Sequence, residues 1–175
     1  LLFREEAGFR MADHLGMAER VVLWHAGLRV FGEYPLTGVG LGNAGFLLKD
    51  RLPAYAERLD EVRVTFSLSR PEFPNTKSLW VRLLAETGVL GFSTFLAWLA
   101  VLAAGGWMLL KTGSGIGRWI GVAGLLALLA QIPEGLSLDT FSLPQLWVIP
   151  GLLSAAAWGH MRRIGQDHSR GVAGD

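Results

Sequence analysis

Residues Val89–Leu110 read VLGFSTFLAWLAVLAAGGWMLL, 22 positions without a charge. At a rise of about 1.5 Å per residue, a helix of that length covers roughly 33 Å, enough for a hydrocarbon layer of about 30 Å. That run is longer than buried helices of soluble proteins usually show, which weighs against a soluble protein with a buried helical hairpin. Two further apolar stretches follow. Trp119–Ile132 is short alone, but reaches a workable length if the helix begins near Ile116 and Arg118 snorkels to the interface. Phe141–Met161 is the third candidate, with Pro144 suited to its first turn and Pro150 expected to kink it. Trp107, Trp119 and Trp158 fall near the expected ends, where interfacial indoles gather. The prediction is an all-α, polytopic transmembrane protein with spans at about 89–110, 116–132 and 141–161.

Orientation follows from the connections. Lys111 and Arg118 flank one, and Arg162 and Arg163 follow the last span, whereas Glu134 and Asp139 occupy the other connection. Cationic loops stay on the cytoplasmic side. This places 111–118 and the tail 162–175 inside, and 133–140 with the whole region 1–77 outside, as a large extracytoplasmic helical loop. The expected location is the inner (plasma) membrane, multi-pass, with a cytoplasmic C-terminus.

Composition agrees with that division. The chain has 175 residues, 51% hydrophobic and 18% charged, with a net charge of +1. Mean hydropathy is +0.36, high for a soluble domain. Residues 1–88 hold 11 basic and 11 acidic side chains, while 89–161 hold only Lys111, Arg118, Glu134 and Asp139. The near-neutral balance argues against a nucleic-acid partner and against an acidic disordered tail. The absence of cysteine excludes disulfides, a Cys-ligated zinc and a thiol nucleophile. The chain begins at Leu1, with no signal-type n-region nearby, and the expectation is a fragment lacking an N-terminal part.

Within the charged half, Met17, Val21, Trp24, Leu28 and Phe31 recur at helical spacing and predict an amphipathic helix over 11–31, ended by Gly32 and Pro35. Asn43 is placed to cap a short helix, and Pro53 precedes another over about 54–62. Val64, Phe66 and Leu68 alternate with polar residues, so this stretch is expected to be extended. Pro71 and Pro74 keep the next loop non-helical. A helix is expected from Thr76 or Lys77, running into the first span.

Several motifs fail their structural requirements. Gly40, Gly42 and Gly45 match G-x-G-x-x-G, and Asp60 lies 20 residues after Gly40. A dinucleotide site needs a buried strand before the glycines, and here a helix end and turn precede them. Gly38, Gly40 and Gly42 are therefore read as structural, a tight turn into a helix. Gly113-Ser-Gly115-Ile-Gly117 lacks the Walker lysine. His14, His25, His160 and His168 form no H-E-x-x-H pattern, so no metal site is expected. There is no G-x-S-x-G elbow.

The order of features carries a resemblance. Arg20-Val-Val-Leu-Trp24 comes first, then Pro35-Leu-Thr-Gly38-Val-Gly40-Leu-Gly42-Asn43. Leu83-Leu-Ala-Glu86-Thr-Gly88-Val-Leu-Gly91-Phe92 follows, ahead of the spans. Over about residues 18–160 this series resembles the C-terminal half of the O-antigen ligase and polymerase family of membrane glycan transferases. The resemblance implies transfer of a glycan from a polyprenyl-diphosphate carrier to a glycan or lipid acceptor outside the cytoplasmic membrane. It implies no nucleotide sugar and no cofactor. Arg20 matches the family's arginine in the large external loop, where a guanidinium holds diphosphate oxygens and stabilises leaving-group charge. Ligases of the family tend to carry His-Asn nine residues before the motif glutamate, and here those positions are Lys77-Ser78. A lysine ammonium is no base unless its pKa is strongly lowered, so Lys77 is expected to contact diphosphate or glycan. Ligase and polymerase both remain open. Arg70, Asn75 and Arg82 are the substrate-binding candidates. Glu86 and Gly88 are read as structural, with Glu86 pairing with Arg82 at i, i+4. Glu61, Glu72 and Glu86 also offer Arg63, Arg70 and Arg82 ordinary surface pairing. The competing expectation is a non-catalytic membrane protein, a transporter or assembly scaffold.

Overall fold

A computed structural model describes residues 17–59, 62, 66, 74–138, 141 and 143–172. Among them there is no strand. The helices are α1 (Ala18–Glu33), α2 (Ala44–Leu48), α3 (Leu79–Thr112), α4 (Ile116–Ser137) and α5 (Gln145–Val172), with 3-10 turns at Lys49–Arg51 and Ala54–Arg58. The chain is all-α. By packing it forms two units, Leu1–Thr94 with Gly135–Asp139, and Phe95–Glu134 with Thr140–Asp175. The expected division at 77/78 is topological; by packing, the first unit keeps the start of α3 and takes in the end of α4.

In the first unit, α1 buries Ala18, Val22, Leu23, Ala26, Gly27 and Val30. This corrects the expected face: Met17 and Leu28 are 38% and 48% exposed. Apolar side chains occur around most of α1, so period alone does not select the inner stripe. Small residues do. A Cβ on Gly27 would lie 2.6 Å from Val81 Cγ1 and 2.9 Å from Thr76 Cγ2. Val22 packs with Ala56 and Val62, Leu23 and Ala26 with Leu48, and Val30 with Ala44 and Ala85.

Other boundaries differ from expectation for identifiable reasons. Asn43 sits at the N-cap of α2 but makes no side-chain cap bond. Its Nδ2 donates instead to Val39 O at 3.0 Å, closing the turn before the helix. The helix expected over 54–62 is a 3-10 turn that ends at Arg58, because Leu59 is extended. Residues 11–16, Val64 and Leu68 lie outside the described residues, while Phe66, expected to be extended, sits in a turn and its N–H donates to Val62 O at 3.1 Å. The helix expected from Thr76 starts at Leu79 and is interrupted at Gly88, with φ 62° and ψ −166°. α4 continues through Pro133 to Ser137, and α5 contains Pro150. Pro144 precedes α5 rather than sitting inside its first turn, and its carbonyl accepts from Trp147 N and Val148 N.

In the second unit Leu102, Leu109, Leu153 and Ala157 form the core. Glycines permit the approach of backbones. A Cβ on Gly121 would lie 2.8 Å from Gly106 O, and one on Gly124 would lie 2.7 Å from Leu153 Cδ1. Such small-residue contacts are how helices associate in lipid, where no water drives apolar burial. α3 and α4 are long and apolar enough to cross a membrane, with only 11% and 17% of their most apolar windows buried. Val101, Ile116 and Trp119 are 71%, 79% and 73% exposed. α5 is less apolar and is not among the helices that reach this criterion; Gln145, Ser154, His160, Arg162 and Arg163 interrupt it.

Candidate functional site

The two glycine motifs meet in the first unit. Normal helical pairing would send Val89 N to Ala85 O and Leu90 N to Glu86 O. The break at Gly88 diverts both pairs. Val39 N donates to Ala85 O at 3.1 Å and Gly40 N to Glu86 O at 2.8 Å. In return, Val89 N donates to Pro35 O at 2.8 Å and Leu90 N to Leu36 O at 3.2 Å. The segment 35–40 thus replaces two intrahelical bonds with four between segments. Only glycine fits at the crossings. A Cβ on Gly38 would lie 2.3 Å from the Glu86 carbonyl carbon, and one on Gly88 2.4 Å from that of Leu36. Both residues have positive φ. Gly40 and Gly42 also have positive φ, but Gly42 has open space around its Cβ position.

Arg20 and Lys77 come together at the end of α4. The last carbonyls of a helix lack intrahelical partners. Here Ser78 Oγ donates to Gly135 O at 3.1 Å, Arg20 Nη1 to Ser137 O at 2.8 Å, and Leu79 N to Leu138 O at 2.8 Å. Arg20 Nη1 also reaches Lys77 O at 3.4 Å. A guanidinium at a helix C-terminus is favoured by the helix dipole as well as by the bonds. The Nε and Nη2 groups of Arg20 have no partner among the described residues. Lys77 Nζ pairs with Glu19 Oε2. Lys77 has φ 51°, the one positive value outside glycine among the described residues, and Asn75 Oδ1 accepts its N–H at 3.2 Å. A bulky side chain in this region is a strained feature of the kind that clusters at functional sites.

Beside this node lies a cleft of about 230 Å³, bounded by Gly42, Pro74, Asn75, Thr76, Arg82 and Glu86 among others. Glu86 is 3% exposed, and Arg82 Nε donates to its Oε2 at 3.0 Å, the pairing predicted from the spacing. Thr76 is buried and donates to Ser78 O at 2.9 Å. The structure therefore groups Asn75, Arg82, Glu86 and Gly42 on one cleft, and joins Arg20 to Lys77 next to it through residues 75–77. Arg70 and Arg63 lie outside the described residues. No cluster of three potential metal ligands occurs among the described residues. Sequence reasoning missed Glu19 and Ser137 as partners, which are 58 and 117 positions from Lys77 and Arg20. No local pattern encodes such separations.

At the far end of α1, Arg51 clamps Glu33: Nε lies 3.0 Å from both carboxylate oxygens and Nη2 lies 2.6 Å from Oε2. These hydrogen bonds hold the Glu33 carboxyl below its ordinary value and raise the Arg51 guanidinium. Arg51 Nη1 also donates to Leu47 O at 3.1 Å, which fixes the turn after α2.

No family model, no curated protein and no solved structure matches this chain.

Proposed function

We propose that the chain is the C-terminal part of a membrane glycan transferase of the O-antigen ligase and polymerase kind. It would move a polyprenyl-diphosphate-linked glycan to an acceptor outside the inner membrane. The observation that carries this reading is the convergence of the three motifs behind the resemblance. The Pro35–Gly42 turn is bolted to the Glu86–Gly88 break, and the polar cleft they bound lies next to Arg20 and Lys77. Exposed apolar faces on α3 and α4 supply the membrane part of the reading. The connection 133–140 and the charged half were assigned to one side by loop charge. The packing of 135–139 in one unit with the charged half supports that assignment.

In this mechanism the Nε–Nη2 edge of Arg20 faces phosphate while Nη1 stays on the helix end. A guanidinium edge presents two parallel N–H groups to two phosphate oxygens. Lys77 adds a point charge that offsets the negative charge developing on the leaving diphosphate. Asn75 and Arg82 donate to glycan hydroxyls. One observation favours a non-catalytic scaffold instead: Arg20 and Lys77 are both already engaged, by carbonyls and by Glu19. Transfer assays on the full-length protein in membranes separate the two readings. The transferase loses glycan transfer in Arg20→Lys and Lys77→Ala at unchanged membrane abundance; a scaffold shows no transfer to lose.

A further inference from the structure

The second unit carries a cleft that the proposed chemistry does not use. It encloses about 300 Å³ between the 113–117 connection and α5. Leu109, Ile120 and Ala156 supply apolar wall; Ser114, His160 and Arg163 supply polar lining. We propose that this cleft binds the phosphate of an anionic phospholipid headgroup. The inference rests on the membrane reading above and adds a ligand and a site to it.

Cationic residues outnumber acidic ones here, with Asp167 four positions after Arg163 in the sequence. The described charged side chains at this end are Lys111, Arg118, Arg162 and Arg163, all cationic. Glu134 lies near the opposite end of α4, where Gln145 Nε2 donates to it at 3.0 Å. Lys111 lies 4.9 Å from the Trp107 ring and Arg162 lies 5.2 Å from the Trp158 ring. Arg163 is different: it lines the cleft and has no ion pair or hydrogen bond among the described residues. His160 Nε2 is 2.8 Å from Thr112 Oγ1, which fixes the imidazole at the cleft. The N-terminus of α4 opens onto the same space through Ile116 and Gly117, so the helix dipole adds to the positive potential. Polar lining beside hydrocarbon wall complements a phosphate attached to acyl chains. A soluble phosphate would use only the polar part. Basic pockets between spans on the cytoplasmic side take such headgroups.

The test is native mass spectrometry of the full chain purified in detergent. Phosphatidylglycerol and phosphatidylcholine of identical acyl chains are offered in competition. The expected result is retention of phosphatidylglycerol by about fivefold over phosphatidylcholine, as one basic residue near an anionic lipid gives. Arg163→Gln is expected to bring the ratio towards one, and Arg163→Lys to keep most of it. Lys49→Gln, an equal loss of charge in the first unit, is expected to leave it unchanged. Equal retention of the two lipids by the wild type, or an unchanged ratio in Arg163→Gln, overturns the proposal. Displacement of the lipid by equimolar glycerol phosphate also overturns it, because the site would then be one for soluble phosphate. Flotation with vesicles of both compositions separates the failures. A chain that floats with neither sinks the membrane reading and this site together. A chain that floats equally with both and retains both lipids equally sinks this site alone.

Discussion

At Lys77 two requirements compete, a left-handed backbone and a charge facing Glu19. Glycine satisfies the first and arginine the second, so substitutions there separate geometry from chemistry. Lys77→Arg is expected to keep part of the transfer activity and Lys77→Ala to lose nearly all of it. Loss of the partly exposed pair with Glu19 costs about 1 kcal/mol or less, too little to explain inactivity by unfolding. Membrane abundance measured beside activity checks this. Arg20→Ala removes a charged donor from the end of α4. The expected cost is about 1.5–3 kcal/mol in detergent-solubilised protein, read as a lower midpoint of thermal unfolding. Glu33 gives a pH signature. Its carboxyl is held below its ordinary value by the hydrogen bonds from Arg51. The stabilisation is therefore complete above the unfolded pKa and is lost as pH falls through the lower folded value. Thermal midpoints of wild type and Glu33→Gln should differ at pH 7 and converge once the pH falls below the ordinary carboxylate range; a gap that persists there contradicts the assignment.

The glycine motifs act on the scale of elements. The sequence marks Gly38, Gly40 and Gly42 as a turn, and the structure agrees. Their partner was illegible, because four bonds between backbones leave no trace in side-chain chemistry. The break at Gly88 was hidden for the same reason: an apolar run continues on its far side, and hydropathy reads straight through. The helices at 89–110 and 116–132 were legible from their apolar runs, which carry no charge over 89–110 and, past Arg118, none over 119–132. The inner face of α1 was not, since Ala18, Ala26 and Gly27 pack more closely than the larger residues that set the period. A graded set of substitutions tests the bolt. Alanine at positive φ costs roughly 1–2 kcal/mol in itself. Gly42→Ala, with open space, is expected to cost about that much. Gly38→Ala and Gly88→Ala add overlap with backbone atoms at 2.3–2.4 Å, and are expected to lose most folded protein. Equal expression of all three variants would contradict the bolt. In the second unit, Gly121→Leu is expected to part α3 from α4, because the side chain must displace Gly106 O and Leu109 Cβ. Protease resistance of the fragment holding α3 and α4 reads this out.

For the whole molecule, membrane topology decides whether the candidate site can meet a lipid-linked glycan at all. The loop charges are legible in the sequence; the cleft is not, because its walls come from segments 42–45, 74–76 and 82–86, joined only by folding. The chain has no cysteine, so a single introduced thiol reports its own position. Ser114 lies in the 111–118 connection, and Ser137 lies at the end of α4 beside Arg20. The most direct measurement is labelling of Ser114→Cys and Ser137→Cys by a membrane-impermeant maleimide in intact cells. The expected result is modification at 137 and protection at 114 until the membrane is opened. Modification at 114 with protection at 137 would put Arg20, Lys77 and the cleft in the cytoplasm, and would contradict transfer from a lipid-linked donor outside.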